Sequence, residues 1–467
     1  MIKLYNSLGK KLEEFKPITA GKVGIYSCGP TVYFNVHIGN LRTYLFADIL
    51  KRVMKYNGLQ VKHVVNITDV GHLTSDADSG DDKLEKGAAR EGKTVWDVAK
   101  FYTDAFLNDI KRLNIISPEV LPKATDHIPE QIAIIQELEK KGFIYDTPEA
   151  VYFDVSKFPE YGKLSGQKLE DKLTAAREGV VEDKSKKHPA DFALWFKRVG
   201  KYENHIMHWA SPWGDGFPGW HIECSAMSTK YLGQPFDIHT GGVDLLPVHH
   251  TNEIAQSEAA NGKALANVWM HGEHLLINEG RMAKSEGNFL TLDNVIEKGF
   301  TPLAYRYLIL TAHYRSKMNF SWESIEGAQN TLNNLYQIVA TFEEGGKIIP
   351  EYETGFKDAI NNDLDMPKAV AVMWDMLKSE NISAGKLATV LAFDQVLGLQ
   401  IADSRIAAND IPTHVKKLVE LRELARKNKD YPKSDELRLE IEKAGFIVED
   451  NPKGVVIQKK FREPREN

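Results

Sequence analysis

The fold of this chain is decided by residues 22–67, which read KVGIYSCGPTVYFNVHIGNLRTYLFADILKRVMKYNGLQVKHVVNI. The apolar run at 22–26 predicts a buried strand, and apolar residues recur at helical spacing over 39–56. Asn57-Gly58 ends this helix, and the run at 61–67 predicts a second buried strand. A strand, a helix and a strand in this order indicate a parallel sheet. We therefore expect a Rossmann-like α/β domain at the start of the chain.

Charged stretches interrupt this pattern further along the chain. Residues 76–93 and 182–189 are polar and charged, which predicts surface insertions on the α/β domain. Sheet-like runs return at 235–239 and 268–271. The α/β domain is therefore expected to continue beyond both insertions.

The last third of the chain has a different pattern. From Trp322 onward the sequence predicts mostly helices, and an Ala- and Asp-rich stretch at 401–412 predicts a linker. Two more helices are predicted at 414–427 and 434–444, with Gly445 ending the second. We expect a helical region followed by a small terminal domain.

Composition narrows the class of protein. With 467 residues, of which 42% are hydrophobic and 27% charged, the chain resembles ordinary multidomain globular proteins. No run is long and apolar enough to span a membrane. Two cysteines cannot form a disulfide framework, which fits a reducing cytoplasm. The net charge of -6 argues against general nucleic-acid affinity, although residues 411–467 hold 14 Lys/Arg against 11 Asp/Glu.

Both cysteines lie in short motifs that could bind a metal. Cys28 follows the first strand in YSCGP, and Cys224 ends the motif GWHIEC. His249 and Glu253 are four residues apart and share one face of any helix. Two thiols, an imidazole and a carboxylate form a plausible zinc set. Adjacent His250 is a rival ligand, predicted to point about 100° away and not to share a face with Glu253. The alternative is that the thiols are small buried apolar groups and His249 an ordinary helix histidine.

Two motifs about 240 residues apart indicate a nucleotide site. His37-Ile38-Gly39-Asn40 falls where the first strand turns into its helix, and a helix N-terminus suits a phosphate. Donors on His37 and Asn40 would stabilise charge on an α-phosphate, and Gly39 would let a base approach the backbone. In Arg281-Met282-Ala283-Lys284-Ser285 the lysine would neutralise a leaving pyrophosphate. A polar helix cap and a solvated basic turn are the alternatives, but the pairing of the two motifs favours ATP.

With these motifs the chain resembles the class I aminoacyl-tRNA synthetases, and within that class the cysteinyl-tRNA synthetases. The resemblance extends over nearly the whole length. The matching stretches are CGPTVY at 28–33, NITD at 66–69, SPWG at 211–214, GWHIECSAM at 219–227, HHTNEIAQS at 249–257, KS at 284–285 with GN at 287–288, and KSDELR at 433–438.

The resemblance implies an enzyme that ligates L-cysteine to its tRNA with Mg-ATP, through a cysteinyl-adenylate. It implies one zinc ion per chain, and ATP contacts from His37, Gly39, Asn40, Lys284 and Ser285. Zinc prefers thiolate to hydroxyl, which would separate cysteine from serine without an editing domain. The resemblance also implies an amino-acid pocket shaped by three residues, with the last suited to the α-ammonium group. These are Thr68, Trp220 and Asp244.

The expected domain order follows from the same resemblance. We expect a catalytic domain over 1–320 that holds the zinc site and an inserted connective segment at about 115–220. A helical bundle over 321–402 would bind tRNA, and a small α+β domain over 410–461 would bind the anticodon. We expect a cytoplasmic monomer without membrane association, whose partners are the tRNA for cysteine, L-cysteine and ATP.

The sequence departs from the family pattern at several positions. Asn40 replaces a histidine, Arg281 replaces a lysine, and the stretch at 70–83 is longer than usual. Gly241-Gly242-Val243-Asp244 lacks a third consecutive glycine. Residues 454–458 lack the aromatic that the family often stacks on an anticodon base. The mode of anticodon reading is therefore open.

Two other functions remain open. A cysteine ligase of mycothiol synthesis has the same catalytic domain and zinc site, but it uses an amino-sugar acceptor and lacks the C-terminal extension. The segment 433–460 argues against it. A non-catalytic tRNA- or zinc-binding relative would be expected to lose His37 or Lys284, and both are present.

Overall fold

The computed structural model describes all of the chain except residue 72 and residues 76–78, 168–184, 278–279, 282–288, 410–411, 452–453 and 460–467. The chain forms two compact units. The first comprises Met1–Asn294, Ala312–Phe320 and Asp358–Met366, and the second comprises Val295–Thr311, Ser321–Lys357 and Pro367–Asn467. The domain boundaries expected from the sequence, near 320, 402 and 410, stay a prediction.

The first unit is built from short strands and helices. Its strands are β1 Lys3–Asn6, β2 Lys11–Glu14, β3 Lys22–Ser27, β4 Gln60–Val65, β5 Leu73–Ser75, β6 Ser79–Asp82, β7 Ile144–Asp146, β8 Ala150–Phe153, β9 Phe192–Lys197, β10 Gly216–Pro218, β11 Phe236–Gly242, β12 Ala266–Gly272, β13 Leu275–Ile277, β14 Gly280–Arg281 and β15 Met318–Phe320. Its helices are α1 Ile38–Tyr56, α2 Lys83–Glu91, α3 Val95–Arg112, α4 Ile128–Lys140, α5 Trp220–Leu232 and α6 Thr251–Asn261, and a short α7, Leu292–Glu297, begins at its boundary.

The core of the first unit is a four-stranded parallel sheet in the order β12–β11–β3–β4. From β3 the chain crosses through α1 to β4 on one side, while β11 and β12 extend the sheet on the other. The strand order therefore reverses between β3 and β11. Ligands of such sheets bind at the carboxyl ends of the strands at this switch point. The expected Rossmann-like class is confirmed, although β4 ends at Val65, two residues before the end of the predicted run.

A second sheet lies inside the expected insertion. Its strands β7, β8, β9 and β10 are antiparallel and adjacent in chain order. They bury a cluster of large side chains, including Trp195 and Phe153. Two hairpins, β1–β2 and β5–β6, and the small sheet β14–β13–β15 complete the strands of this unit.

The polar segment after Asp69 is structured in its described part. The hairpin β5–β6 leads directly into α2, whose Leu84 is fully buried. Asp82 caps α2, because its Oδ1 accepts hydrogen bonds from the backbone N–H groups of Leu84 at 2.7 Å and Glu85 at 2.8 Å. The charged composition predicted a surface insertion. The structure instead has a helix in this segment, and one face of that helix is buried.

Arg42 joins three segments of the first unit. This side chain of α1 is only 3% exposed. Its guanidinium donates to the carbonyls of Glu273 and His274 at 2.9 and 2.7 Å, and to those of His313 and Ser316 at 3.2 and 2.6 Å. The beginning of α1 is thereby fixed to the segment that leads into β13.

Asp363 fixes a second long-range junction in this unit. Its Oδ1 accepts from the Tyr5 backbone N–H at 2.8 Å and from the Tyr314 hydroxyl at 2.6 Å. Its Oδ2 accepts from Arg315 Nε at 2.7 Å. Asp363 has a φ of 57°, a left-handed conformation that Asp and Asn tolerate better than most residues.

The second unit is mainly helical. Its helices are α8 Pro302–Leu310, α9 Trp322–Ala340, α10 Pro350–Ile360, α11 Met366–Lys378, α12 Ser383–Leu397, α13 Ile401–Asn409, α14 Thr413–Lys427 and α15 Tyr431–Lys443, and its strands are β16 Phe446–Asn451 and β17 Gly454–Lys459. α14, α15 and the β16–β17 hairpin pack around Val415, Ile441 and Phe446, which confirms a small α+β element at the C-terminal end. Gly445, with a φ of 87°, follows α15 as predicted.

The linker predicted at 401–412 is wrong for residues 401–409, which form α13. Asp394 explains why the helix begins there. Its carboxylate accepts from the backbone N–H groups of Leu399 at 2.6 Å and Ile401 at 2.8 Å, and Ile401 is fully buried. Within the described residues, no helix has the length and apolar character needed to cross a membrane.

Candidate active site

The two cysteines, His249 and Glu253 meet in the first unit. Cys28 directly follows β3, Cys224 lies in α5, and His249 lies in a π-helical turn that runs into α6, where Glu253 sits. All four are buried, and their ligand atoms lie within 4.8 Å of one another. His249 Nε2 is 3.0 Å from Glu253 Oε1, and Cys28 Sγ is 3.7 Å from the same oxygen. The structure therefore brings together the four residues that the sequence proposes as metal ligands.

The loop after β3 packs closely against the backbone of two neighbouring segments. The Cys28 N–H donates to the Thr240 carbonyl at 3.2 Å, and the Gly29 N–H donates to Asn66 Oδ1 at 2.8 Å. A methyl group at Gly29 would lie 1.6 Å from the Asn66 carbonyl oxygen, so only glycine fits. This packing holds the Cys28 thiol at the switch point of the sheet.

The exclusion of His250 on geometric grounds is wrong. His250 Nε2 lies 3.3 Å from Cys28 Sγ and 4.0 Å from Glu253 Oε1. The reason is that residues three apart are also neighbours on a helix surface, and the π-helical turn changes the spacing before Glu253. A second group of possible ligands therefore shares Cys28 and Glu253 with the first and adds His239 and His250.

Hydrogen bonds link these residues to further buried histidines. Glu253 Oε2 lies 3.0 Å from His239 Nε2, and His249 Nδ1 lies 2.9 Å from His221 Nδ1. On the other side, His250 Nδ1 lies 2.8 Å from His271 Nε2. Sequence reasoning missed His221, His239 and His271. His239 and His271 lie in strands predicted only as sheet, and nothing local in the sequence distinguishes them from core histidines.

Charge is distributed unevenly in this cluster. Burial would raise the pKa of Glu253, but His239 and His249 outweigh it and lower that pKa to about 2. Burial also opposes a charge on His249, yet Glu253 and Cys224 raise its pKa to about 10. Burial would raise the pKa of Cys224, but Cys28 and His249 lower it to about 7. Burial raises the pKa of Cys28 well above its ordinary value. Glu253 is therefore anionic and pairs with a protonated His249, while Cys28 keeps its proton. A metal ion that binds among these groups has to displace the protons of His249 and Cys28.

One of the three expected amino-acid-pocket residues, Trp220, borders this cluster. The Trp220 ring lies 4.5 Å from the His249 ring, centroid to centroid. The Thr68 hydroxyl donates to Glu223 Oε2 at 3.1 Å. Asp244 is exposed at the end of β11, and its negative charge acts on His37. A methyl group at Gly242 would lie 2.3 Å from Asp244 Oδ1, so a larger residue there would displace this carboxylate.

His37 and Asn40 close the first turn of α1. The Asn40 N–H donates to His37 Nδ1 at 3.0 Å, and the His37 N–H donates to Asn40 Oδ1 at 3.2 Å. Burial lowers the pKa of His37 to about 4, and Asp244 only partly opposes this shift. The imidazole is therefore neutral near pH 7, with Nδ1 as an acceptor and Nε2–H as a donor. Gly39 lies between them in the same turn.

The second half of the expected ATP site is only partly described. Arg281 belongs to β14, where it pairs with Leu276 of β13. Lys284 and Ser285 lie outside the described residues. Their predicted roles therefore stay predictions.

Comparisons with known proteins agree with this arrangement. Residues 14–330 match the family model for the class I (C) tRNA synthetase catalytic domain. Residues 408–457 match the family model for the cysteinyl-tRNA ligase anticodon binding domain. Among solved structures, a methionyl-tRNA synthetase from Mycobacterium tuberculosis in complex with methionyl-adenylate aligns with a TM-score of 0.59 at 15% identity. It covers 84% of this chain and 94% of its own, which supports the fold alone.

Relatives extend over almost the entire chain. Cysteine–tRNA ligase 1 of Burkholderia lata is 48% identical over 97% of this chain and 95% of its own length. The cysteine–tRNA ligase of Treponema denticola is 46% identical over 96% of this chain and 98% of its own, and that of Thermus thermophilus is 40% identical over 97% and 98%. With a catalytic-domain match, an anticodon-domain match and full-length relatives, the chain belongs to the cysteine–tRNA ligase family of class I aminoacyl-tRNA synthetases.

Proposed function

We propose that this chain activates L-cysteine with ATP and transfers the cysteinyl group to the 3′ end of the tRNA for cysteine. A carboxylate oxygen of cysteine forms a bond to the α-phosphorus of ATP. The bond from that phosphorus to the bridging oxygen breaks, and pyrophosphate leaves with the electron pair. The observation that carries the proposal is the buried Cys28, Cys224, His249 and Glu253 cluster beside Trp220, within a chain of this family.

One zinc ion would be held by Cys28, Cys224, His249 and Glu253. The donor set fits this metal, because two sulfurs, one imidazole and one carboxylate are typical zinc ligands and all four are buried within reach of one another. Zinc would supply a preference for thiolate over hydroxyl, which separates cysteine from serine. The protein's own part is to exclude water from these ligands and to hold His249 through His221.

The amino-acid pocket would lie above the cluster. Trp220 would form one wall, and Thr68, held by Glu223, would form another. The exposed carboxylate of Asp244 suits the α-ammonium group. At the helix end, neutral His37 would donate through Nε2–H to the α-phosphate, together with the Asn40 amide and the backbone at Gly39. Lys284 and Ser285 would contact the leaving pyrophosphate.

The second unit would serve the tRNA. Its match to an anticodon-binding family covers residues 408–457, which supports a domain over about 410–461 for the anticodon. Helices over 321–402 would contact the rest of the tRNA. The catalytic domain would span 1–320, with the connective insertion at about 115–220. We expect a monomer that works in the cytoplasm.

A charging assay tests the function. Purified protein, L-cysteine, ATP and the tRNA should give cysteinyl-tRNA and cysteine-dependent ATP–pyrophosphate exchange. An amino sugar is added as a competing acceptor. Exchange without tRNA charging, together with transfer to the sugar, would instead favour an amino-sugar ligase.

Metal analysis tests the ligand set, because the two possible groups share only Cys28 and Glu253. Cys224→Ser should lose most of its zinc, whereas His239→Gln should retain it. The opposite result would assign the metal to the group with His239 and His250. Circular dichroism of both variants checks that the fold is intact.

A further inference from the structure

Lys83 lies beside the aromatic wall of the proposed amino-acid pocket. Its Nζ is 5.8 Å from the centre of the Trp220 ring and 5.9 Å from the centre of the Tyr33 ring. An ammonium within about 6 Å of an aromatic face is attracted to it. The same Trp220 ring packs against His249. A positive charge is therefore held next to the site that receives the amino acid.

The backbone that carries Lys83 is firmly fixed. The preceding residue, Asp82, caps α2 through Oδ1 and accepts from His205 Nε2 through Oδ2 at 2.9 Å. A methyl group at Gly71 would lie 1.7 Å from Asp82 Oδ2, so the carboxylate fills a space that only glycine leaves open. On the other side of Lys83, Leu84 is fully buried.

The contacts on both sides of Lys83 affect how its side chain can bind a ligand. Both neighbours of Lys83 in the chain are buried, while Lys83 itself is only half-buried. The side chain thus projects from rigid backbone at the first residue of α2. A binding group mounted in this way loses little entropy when it meets its ligand.

A positive charge beside the carboxylate of cysteine would favour the proposed reaction. The attacking carboxylate and the α-phosphate are both anionic and repel each other. His37 is neutral near pH 7 and adds no positive charge, and Asp244 is suited to the ammonium end of the amino acid. A cation at the carboxylate would hold the nucleophile and relieve the repulsion.

We propose that Lys83 binds the carboxylate of the cysteine substrate and orients it for attack on the α-phosphate. This proposal rests on the proposed function of the same site. It assigns a role to a residue at the end of the long segment that distinguishes this chain from the family's usual pattern.

The test compares Lys83→Met with Lys86→Met, an exposed lysine of the same helix. Cysteine-dependent ATP–pyrophosphate exchange gives KM for cysteine and for ATP, and L-cysteinamide, which has no carboxylate, is used as an inhibitor. For Lys83→Met we expect KM for cysteine to rise about 10- to 100-fold, as for a lost hydrogen bond to a charged group. KM for ATP and inhibition by cysteinamide should stay unchanged, and Lys86→Met should behave as the parent.

Each other outcome overturns the proposal. An unchanged KM for cysteine would mean that Lys83 does not bind the carboxylate, and a raised KM for ATP alone would place it on the phosphates. Equal weakening of cysteine and cysteinamide would assign Lys83 to packing against Trp220 and Tyr33. Absence of exchange in the parent protein would refute the proposed function itself, before any variant is made. Zinc content and melting temperature check that the variants are folded.

Discussion

At the first turn of α1, the two ends of the Asn40 carboxamide have different surroundings. Its oxygen accepts from the His37 N–H, whereas its nitrogen makes no hydrogen bond with any described residue. The substitution Asn40→Asp keeps an acceptor for the cap and adds a charge that the helix N-terminus favours, but it removes the donor. We expect an unchanged or higher melting temperature and a fall of about 100-fold in the rate of ATP–pyrophosphate exchange.

Asn40→Ala serves as the comparison. It removes both the cap and the donor, so it should lose stability, by about 1 kcal/mol, as well as exchange activity. Differential scanning calorimetry and exchange kinetics measure the two effects separately. Full exchange activity in Asn40→Asp would show that the amide does not donate to ATP.

His63 should make the first unit sensitive to acid. It is buried in β4 with Nε2 2.8 Å from the Ser27 hydroxyl, and burial, aided by Lys51, lowers its pKa to about 3. Between about pH 6.5 and pH 3 the unfolded chain binds a proton here that the folded chain does not. Stability is therefore fully present above pH 6.5 and falls with pH by up to about 1.4 kcal/mol per pH unit.

Urea unfolding of His63→Gln, followed by tryptophan fluorescence, checks this expectation. The variant should show a shallower loss of stability from pH 6.5 to pH 4 than the parent protein. His208→Gln, at a partly exposed histidine of the same unit, should keep the parent slope. Identical slopes in His63→Gln and the parent would contradict the assignment.

The four candidate metal ligands show how much of the site could be predicted from the sequence. Cys28 and Cys224 were identifiable because the chain has no other thiols, and His249 and Glu253 because of their spacing. The nearness of His250 depends on a π-helical turn, which hydrophobic spacing does not indicate. The contacts of His239 and His271 depend on the neighbours of β11 and β12, which only the tertiary fold determines.

At the scale of elements, local pattern predicted β3, α1 and β4 well, because their apolar spacing is strong. It failed for α13, where a capping carboxylate from Asp394 and the burial of Ile401 outweigh an Ala- and Asp-rich composition. The sequence also gave no sign that α2 is clamped by His205, since that contact crosses 123 residues. Elements held by distant partners are the ones that pattern analysis misses.

The hydrogen bonds to Asp363 are expected to stabilise the first unit. Asp363→Ala should leave the Tyr5 N–H, the Tyr314 hydroxyl and Arg315 without their shared acceptor, which costs about 2–4 kcal/mol. Asp363→Asn keeps an acceptor and tolerates the left-handed backbone, so it should cost less.

Thermal and urea unfolding measure both variants, with Asp358→Ala as an exposed control in the same segment. The expected order of stability is parent and Asp358→Ala, then Asp363→Asn, then Asp363→Ala. An equal loss of stability in the two Asp363 variants would mean that the acceptor oxygens do not stabilise this junction.

At the scale of the whole molecule, the two functions of a cysteine–tRNA ligase should separate. Removing residues from Asp410 onward leaves every proposed zinc and ATP residue in place. We expect ATP–pyrophosphate exchange to be retained and tRNA charging to weaken, because the deleted part matches an anticodon-binding family. Phosphate contacts should dominate this contribution, so the difference between full-length and truncated protein should shrink as salt rises.

Charging of the cognate tRNA and of an anticodon-substituted tRNA checks this prediction. The full-length protein should prefer the cognate anticodon, and the truncated protein should not distinguish the two. Since 454–458 lack an aromatic residue, hydrogen bonds are expected to provide the preference, with Lys459, Lys460 and Arg462 as candidate donors. Equal charging of the cognate tRNA by both proteins would remove the proposed role of the segment.

The distant partners of the Arg42 guanidinium determine when the beginning of α1 can be completed during synthesis of the chain. Its first carbonyl partner is 231 residues further along the chain and its last is 274 residues further. While the ribosome is still making those residues, Arg42 cannot form these four hydrogen bonds. The contacts that fix the beginning of α1 to the rest of the first unit are therefore complete only after Ser316 has emerged from the exit tunnel. We expect activation of cysteine to begin only after most of the polypeptide has been translated.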